Sequence, residues 1–164
     1  MAGKVSYWLL KTEPDCFSIA DLKTQPKQTT FWDGVRNYQA RNMLRDDIKE
    51  GDRVLFYHSN ANPPGVAGTA VVVKGGYPDF TAFDPRNHHY DPKSRTDEPT
   101  WYMVDIKFGS AFAELVSLDD MRAVKSLAEM EVLRRGSRLS VQPVRKHEFE
   151  TVLKLAEQKQ KNSP

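Results

Sequence analysis

The chain has 164 residues, of which 39% are hydrophobic and 28% charged, a composition that indicates a globular protein and excludes an intrinsically disordered one. Its formal net charge of +2 is compatible with nucleic-acid binding but does not demand it. The single cysteine, Cys16, excludes an intramolecular disulfide and a multi-cysteine metal site. No membrane span or secretory signal is recognisable, so we expect a cytoplasmic protein, or a nuclear one in a eukaryote.

The first half begins with a predicted strand at 7–11 (YWLLK), a short apolar run that the sequence TEPD ends. Asn37 is the predicted N-cap of a helix that ends at Gly51. The inner face of this helix consists of residues at helical spacing: Ala40, Met43, Leu44 and Ile48. Two strands follow at 53–59 and 65–74, and the second is apolar on both faces and therefore central.

The second half continues with strands at 100–109 and 111–116, the first of which alternates apolar and polar residues. The apolar face of that strand consists of Tyr102, Val104, Ile106 and Phe108. A helix follows the predicted N-cap Ser117, and a short strand is predicted at 137–144.

A closing amphipathic helix carries its apolar stripe at Phe149, Val152, Leu153 and Ala156. The tail from residue 157 is expected to be frayed and solvated. Consecutive strands with helices inserted at intervals predict a single α+β domain over residues 1–164, built on a curled, barrel-like sheet.

One connection, residues 75–99, carries four prolines and no helical period. Unstructured loops of this length are uncommon in compact domains and are usually functional or disordered. Four aromatic residues argue for order, because disordered segments lack aromatics: Tyr77, Phe80, Phe83 and Tyr90. We expect a packed loop that covers one end of the barrel.

Catalytic and metal-binding patterns are weak. His58 and Ser59 are adjacent on a predicted strand, so their side chains point to opposite faces and cannot form a nucleophile–base pair. His88 and His89 lie together in the long loop without the spaced further ligands that a zinc site needs. No phosphate-binding loop, dinucleotide-binding or zinc-protease motif occurs, so we expect neither a metal nor a cofactor.

The segment WDGVRNYQARN crowds aromatic, amide and basic side chains together. Arg36 and Arg41 flank a helix start, where cations are unfavourable beside the positive end of the helix dipole. Either Asp33 pairs with them in a structural salt bridge, or they bind an anion such as phosphate. Trp32 is either a core residue or, with the Asn37 amide, part of a surface that holds a flat polar ring.

Two other segments carry polar side chains that the core does not need. Tyr57 and Ser59 share one face of a predicted strand, and Asn60 follows them. In RLSVQ, one alternate face consists of Arg138, Ser140 and Gln142. This face lies within a run of five basic residues and no acidic one: Arg134, Arg135, Arg138, Arg145 and Lys146. Such a run is either a solvated face or a phosphate-binding surface.

Seven segments resemble, in order, the motifs of the EVE domain family: YWLLKTEP, WDGVRNYQARN, GDRVLFYHSN, GVAGTAVVV, HYDPKS, PTWYMVDI and RLSVQPV. The resemblance runs from about residue 5 to residue 155. It implies a PUA-like fold, a small twisted mixed β-barrel with peripheral helices, related to the YTH and ASCH domains.

The resemblance also implies nucleic-acid binding, with a modified base in an aromatic-lined pocket. Some EVE domains fused to nucleases recognise modified cytosine in DNA, and a modified base in RNA is the other possibility. The candidate base-pocket residues are Trp8, Trp32, Asn37, Tyr38, Tyr57, Ser59, Asn60, Ser140 and Gln142. The candidate phosphate-binding residues are Arg36, Arg41, Arg135 and Arg138.

The favoured hypothesis is therefore a monomeric, non-catalytic reader whose partner is DNA or RNA and not a membrane. A modified base would stack on an aromatic ring and be hydrogen-bonded along its edge, while arginines hold the flanking phosphates. The alternatives are an enzyme that acts on a modified nucleotide or nucleoside, with His58 or Asp33 as base, and a small-molecule sensor.

Overall fold

A computed structural model describes residues 4–161 as six strands, four α-helices and several single helical turns. The strands are Tyr7–Thr12 (β1), Thr29–Phe31 (β2), Arg53–His58 (β3), Gly65–Pro78 (β4), Tyr102–Ser117 (β5) and Val141–Val144 (β6). The α-helices are Ile19–Thr24 (α1), Tyr38–Asn42 (α2), Leu118–Arg122 (α3) and Lys146–Lys161 (α4). This mixture of one sheet with a few peripheral helices is the α+β class that the sequence predicts.

The strands form one mixed sheet in the order β2-β5-β4-β3-β1-β6. The β1–β3 pair is parallel and every other pair is antiparallel. Register shifts interrupt the β4–β5 ladder at four places, and such irregularities bend and twist the strands that carry them. The curvature is sufficient for β2 at one edge and Ser140, beside β6 at the other, to line the same cavity.

Two apolar clusters cover the two faces of the sheet. One contains Trp32, Phe56 and Val141, and the other contains Tyr57, Met121 and Phe149. Neighbouring residues Phe56 and Tyr57 therefore belong to opposite clusters, as strand alternation requires. The predicted inner stripe of α4 is confirmed, since Phe149, Val152 and Ala156 are buried and Leu153 packs against their cluster.

The observed elements differ from the predicted ones mainly in length. The predicted strands at 100–109 and 111–116 are one continuous strand, β5, and β4 extends four residues into the expected loop. The predicted helix after Asn37 is α2 followed by a wider π-helical turn at Met43–Asp47. Only Val141–Val144 of the strand predicted at 137–144 forms a ladder.

Two elements, α1 and β2, were not predicted. The first has a local signal, a capping box in which Ser18 accepts from the Asp21 N–H and the Asp21 carboxylate accepts from the Ser18 N–H. The second has three residues, too few for a periodicity to appear.

Most of the C-terminal tail belongs to the long closing helix. Helix α4 continues through Lys161, so the tail expected to fray from residue 157 is helical up to that residue, and 162–164 lie outside the described part. Among residues 4–161, no helix is long and apolar enough to cross a membrane.

Candidate nucleic-acid interface

A cavity of about 480 Å³ opens between β2, the segment that follows it, and the long loop. Its aromatic walls are Phe17, Phe31 and Trp32, and its polar groups include Asp33, Arg36 and Ser140. His88 and His89 reach it from the loop, which confirms that the segment predicted at 75–99 is packed over one end of the sheet. A flat molecule with polar edges suits such a combination of aromatic walls and polar groups.

The tryptophan of this cavity is held rigidly by other rings. Trp32 is 8% exposed and meets Phe56 edge-on, with 5.5 Å between ring centroids, and meets Phe17 edge-on at 6.4 Å. Its backbone N–H donates to the carbonyl of Val104, which extends the β2–β5 pairing by one residue. Trp32 is therefore a core residue that also forms part of the cavity wall.

A buried carboxylate in the long loop binds the segment that follows β2 and lines the cavity, residues 32–36, which we call the cavity segment. Asp79 is fully buried, and its Oδ2 accepts from the Gly34 N–H at 2.8 Å and from Arg36 Nη1 at 3.0 Å. Its Oδ1 accepts from the Thr81 N–H and hydroxyl. Burial alone would raise the pKa of Asp79, but the hydrogen bonds from Thr81, Gly34 and Arg36 outweigh it and lower the pKa below its usual value.

A histidine–aspartate pair forms another part of the wall. His89 Nδ1 lies 3.2 Å from Oδ2 of Asp33, and the His88 and His89 rings are 3.8 Å apart. Gly34 has a φ of +78°, and a Cβ on it would lie 2.4 Å from the His89 ring. Glycine is therefore required here for two reasons, the left-handed backbone and the close approach of the imidazole.

The structure brings two of the three predicted site segments together. Trp32 and Arg36 from the first segment and Ser140 from the third line the one cavity. The Lys11 N–H donates to the Ser140 carbonyl over 2.9 Å, which fixes that residue beside the end of β1.

The second predicted segment lies beside the cavity and does not line it. The Ser59 N–H donates to the carbonyl of Thr12, a cavity residue, and Asn60 Nδ2 donates to Oε1 of Glu13. Ser59 and Asn60 thus contact the end of β1 and the residue after it without lining the cavity.

Three candidate base-pocket residues are core residues. Trp8 is 6% exposed and donates its Nε1–H to Asp52. Tyr57 belongs to the apolar cluster on the opposite face from Trp32, and burial raises the pKa of its hydroxyl. Gln142 is 1% exposed, and its amide donates to the Leu139 carbonyl at 2.9 Å. We therefore exclude these three side chains from the candidate pocket.

Asn37 and Tyr38 lie at the start of α2, outside the cavity wall. The Asn37 side chain accepts from the Ala40 N–H at 2.9 Å, which confirms the predicted helix cap and occupies its amide oxygen. Tyr38 is 62% exposed and stacks on Trp101, with 5.0 Å between ring centroids. The geometry favours a structural role for Asn37 over the base-reading role.

The four candidate phosphate-binding arginines fall into two pairs. Arg36 donates to Asp79 and to the His89 carbonyl, and Arg41 donates to the Thr100 carbonyl at 2.7 Å, so both hold the long loop. Arg135 and Arg138 are exposed and make no hydrogen bond or ion pair within residues 4–161. The second pair is therefore free to meet a ligand.

Several cavity-lining residues were not named as candidates, among them Thr12, Phe17, Phe31, His88 and His89. The histidines were considered only as metal ligands, although they lie in a loop that was expected to cover one end of the sheet. No group of three histidine, cysteine, aspartate or glutamate side chains within the described ranges converges as a metal site would require. Cys16 also lines the cavity, and its thiol lies 3.8 Å from the carboxylate of Glu13.

Comparison with known proteins supplies the context for this site. The EVE domain family model matches residues 6–155. Human thymocyte nuclear protein 1 is 45% identical over 168 residues, covering 93% of this chain and 74% of the human protein. A structure of that protein in complex with DNA containing 5-methylcytosine has a TM-score of 0.85 and covers 93% of this chain and 98% of the other.

Two further structures extend the comparison. A hypothetical protein from Leishmania major has a TM-score of 0.90 at 45% identity and covers 96% of this chain and 98% of its own. An ASCH protein from Zymomonas mobilis has a TM-score of 0.52 at 13% identity, covers 92% of this chain and 96% of its own, and shares the fold alone. The fold is thus PUA-like, as the sequence resemblance implies, and the chain belongs to the EVE domain family.

Proposed function

We propose that this chain is a non-catalytic reader that holds one modified nucleobase in the cavity between β2 and the long loop. The observation that carries the proposal is the cavity itself, whose aromatic walls, Phe17, Phe31 and Trp32, enclose a carboxylate from Asp33. The related human protein is seen with DNA containing 5-methylcytosine. We therefore take 5-methylcytosine in DNA as the first candidate ligand, and a modified base in RNA as the second.

Asp33 is suited to the edge of a cytosine. Cytosine presents its N4 amine as a hydrogen-bond donor, and a carboxylate accepts from it. Asp33 Oδ2 is engaged by His89, whereas Oδ1 makes no hydrogen bond within residues 4–161. The carboxylate is thus held in place by one oxygen and can accept from a base through the other.

The aromatic walls account for a preference for methylation. Burying one methyl group against apolar surface contributes about 1 kcal/mol, or roughly a fivefold difference in affinity. Phe17 and Trp32 form such a surface, and their edge-to-face packing keeps it rigid. Selectivity for methylation alone is therefore expected to be modest.

Arg135 and Arg138 are proposed to contact the flanking phosphates. Both are exposed, and Arg138 lies two residues from Ser140 in the cavity wall. Such contacts fix the register of the strand and do not read its sequence. Arg36 and Arg41 then act indirectly, by holding the loop that completes the cavity.

The enzyme hypothesis has one feature in its favour, the Asp33–His89 pair in the cavity. His58, the other candidate base, does not line the cavity and instead accepts from the Ile19 N–H at 3.2 Å. A nucleophile that donates to His89 would be needed for covalent catalysis, and none does so within the described residues. Binding without turnover therefore fits the geometry better.

The test is a fluorescence-anisotropy titration with single strands of 12 nucleotides that carry a central cytosine or 5-methylcytosine, as DNA and as RNA. We expect the wild type to bind a methylated strand more tightly than the unmethylated one. Asp33→Ala should weaken binding to both bases by about tenfold, since leaving the N4 amine of the base without its acceptor costs ~1–3 kcal/mol. The matched control, Glu157→Ala, removes the same charge from the exposed side of α4 and should change nothing. Equal effects of the two variants, or no preference for methylation in either polymer, would refute the proposal.

A further inference from the structure

Two exposed phenylalanines meet at the rim of the cavity. Phe31 is 42% exposed and Phe80 is 51% exposed, and their ring centroids are 5.0 Å apart at an interplanar angle of 62°. We refer to this pair as the aromatic shelf. Large aromatic rings that stay in water beside a binding cavity mark a surface that a partner covers.

The shelf is preorganised by backbone pairing on both sides. Phe31 is the last residue of β2 and pairs with Asp105 of β5, while the next residue, Trp32, donates to the Val104 carbonyl. Phe80 directly follows Asp79, whose N–H donates to the Trp101 carbonyl and whose buried side chain binds the cavity segment. Neither ring therefore has to be ordered by the ligand, which favours affinity.

The shelf is continuous with the cavity, because Phe31 belongs to both. A molecule that fills the cavity and extends beyond this rim meets the shelf next. Exposed Lys27 lies two residues before the start of β2, and exposed Lys107 of β5 pairs with Thr29, the first residue of β2. These lysines place positive charge near the shelf, and Asp105, the carboxylate opposite Phe31, accepts from the Tyr77 hydroxyl. Aromatic rings together with positive charge are the combination that binds single-stranded nucleic acid.

We propose that the aromatic shelf stacks an unpaired base next to the one in the cavity, on the same strand. This inference rests on the proposed function, since it needs a nucleobase in the cavity. It adds a second base-binding position that is indifferent to base identity, because every base has a stacking face. The chain would then bind a short unpaired stretch and not an isolated nucleotide.

The test compares two DNA strands of nine nucleotides with a central 5-methylcytosine. One has adenines on both sides of that base, and the other has abasic sites there, so that the phosphates are identical. Wild-type protein should bind the adenine strand about tenfold more tightly, equivalent to ~1.4 kcal/mol, as expected for one base–aromatic stack. Phe80→Ala should bind the two strands alike, at the affinity of the abasic one.

Control variants separate the ring from the fold. Phe80→Tyr keeps a ring and should restore the preference for adenine, while Tyr90→Ala removes a similarly exposed ring elsewhere in the same loop and should leave that preference intact.

An unchanged preference in folded Phe80→Ala, no preference in the wild type, or binding confined to duplex DNA would overturn the shelf alone. A dimer of the wild type that Phe80→Ala dissociates would overturn it in favour of a second copy of the chain. If the wild type shows no preference for 5-methylcytosine over cytosine in the titrations described above, the proposed function and the shelf are both wrong.

Discussion

Gly34 donates its backbone N–H to the buried carboxylate of Asp79 over 2.8 Å, although 45 positions separate the two residues in the chain. The same oxygen accepts from Arg36, so a single carboxylate fixes both the backbone and a side chain of the cavity wall. The cavity therefore depends on a loop residue that does not itself touch the space inside.

Replacing Asp79 should destabilise the protein strongly. Asp79→Ala leaves the Gly34 N–H and the Arg36 guanidinium without their acceptor. We expect a loss of about 2–4 kcal/mol in the free energy of unfolding. This is slightly below the cost for a fully buried pair, because the Arg36 side chain is 25% exposed. Urea unfolding at neutral pH measures it. Asp97→Ala is the matched control, since it breaks an ion pair with Arg95 whose side chains are 70% and 67% exposed and should cost at most about 0.5 kcal/mol. Equal losses in the two variants would contradict the role of Asp79.

Gly34 and Gly136 offer a matched comparison. Both have a φ of +78°, but a Cβ at Gly136 meets nothing within 4 Å, whereas one at Gly34 meets the His89 ring. Gly136→Ala should cost only the left-handed backbone penalty, about 1–2 kcal/mol. Gly34→Ala should cost clearly more, and a double-mutant cycle with His89→Ala should recover the excess. An equal cost at both glycines would show that the imidazole moves aside freely.

His58 should make stability fall in mild acid. Burial lowers the pKa of this imidazole below its usual value, and its Nε2 accepts from the Ile19 N–H, so the folded protein keeps it neutral. The unfolded chain, with an ordinary pKa near ~6.5, binds the proton first, so the contribution is present above that pH and is lost as pH falls through it.

The measurement is the urea midpoint at several values between pH 7.5 and 5.5, which we expect to fall further in the wild type than in His58→Gln. Glutamine retains an acceptor for Ile19 and does not titrate in this range. His147→Gln, at an exposed position in α4, should behave like the wild type. If His58→Gln loses as much stability as the wild type over this range, another group is responsible.

The two roles considered for Asn37 can be separated by two substitutions. Asn37→Ala removes the helix cap and should cost about 0.5–2 kcal/mol, whereas Asn37→Ser retains a capping oxygen and should cost little. Because the amide oxygen is used by the Ala40 N–H, we expect folded Asn37→Ser to keep the full preference for 5-methylcytosine over cytosine. Loss of that preference in Asn37→Ser would restore the base-reading role.

The sequence predicts the elements that local patterns determine. The alternating face of β5 and the stripe of α4 are core faces in the structure, because their periodicities match the burial that a sheet and a helix impose. The cap of α2 at Asn37 is likewise a local signal. What periodicity alone does not reveal is where one pattern continues into the next, as in the single strand β5.

The site depends on contacts that no local pattern contains. Tyr57 belongs to the apolar cluster on the face opposite Trp32, and Ser59 lies just beyond the end of β3. Which face of the sheet meets the cavity depends on how the whole sheet curls. The roles of Arg36 and Arg41 depend on acceptors in the connection between β4 and β5, Asp79 and the Thr100 carbonyl, that are distant in the chain. Two arginines beside a helix start could therefore be recognised as unusual from the sequence, but their acceptors could not.

Salt dependence separates an arginine that meets phosphate from one that holds the loop. Arg138→Ala should make the plot of log affinity against log salt shallower by about 0.7 on a single strand, because one phosphate contact and its released counterion are lost. Arg41→Ala removes the same charge but breaks the hydrogen bond to the Thr100 carbonyl and the contact of the guanidinium with Tyr38, at 5.2 Å from its ring centroid. It should lower the free energy of unfolding and leave the salt slope unchanged in protein that remains folded.

Anisotropy titrations at four salt concentrations, with unfolding curves for each variant, make the comparison. If Arg41→Ala flattens the slope as much as Arg138→Ala does, Arg41 reaches the nucleic acid and the role first inferred from its position at the helix start is correct.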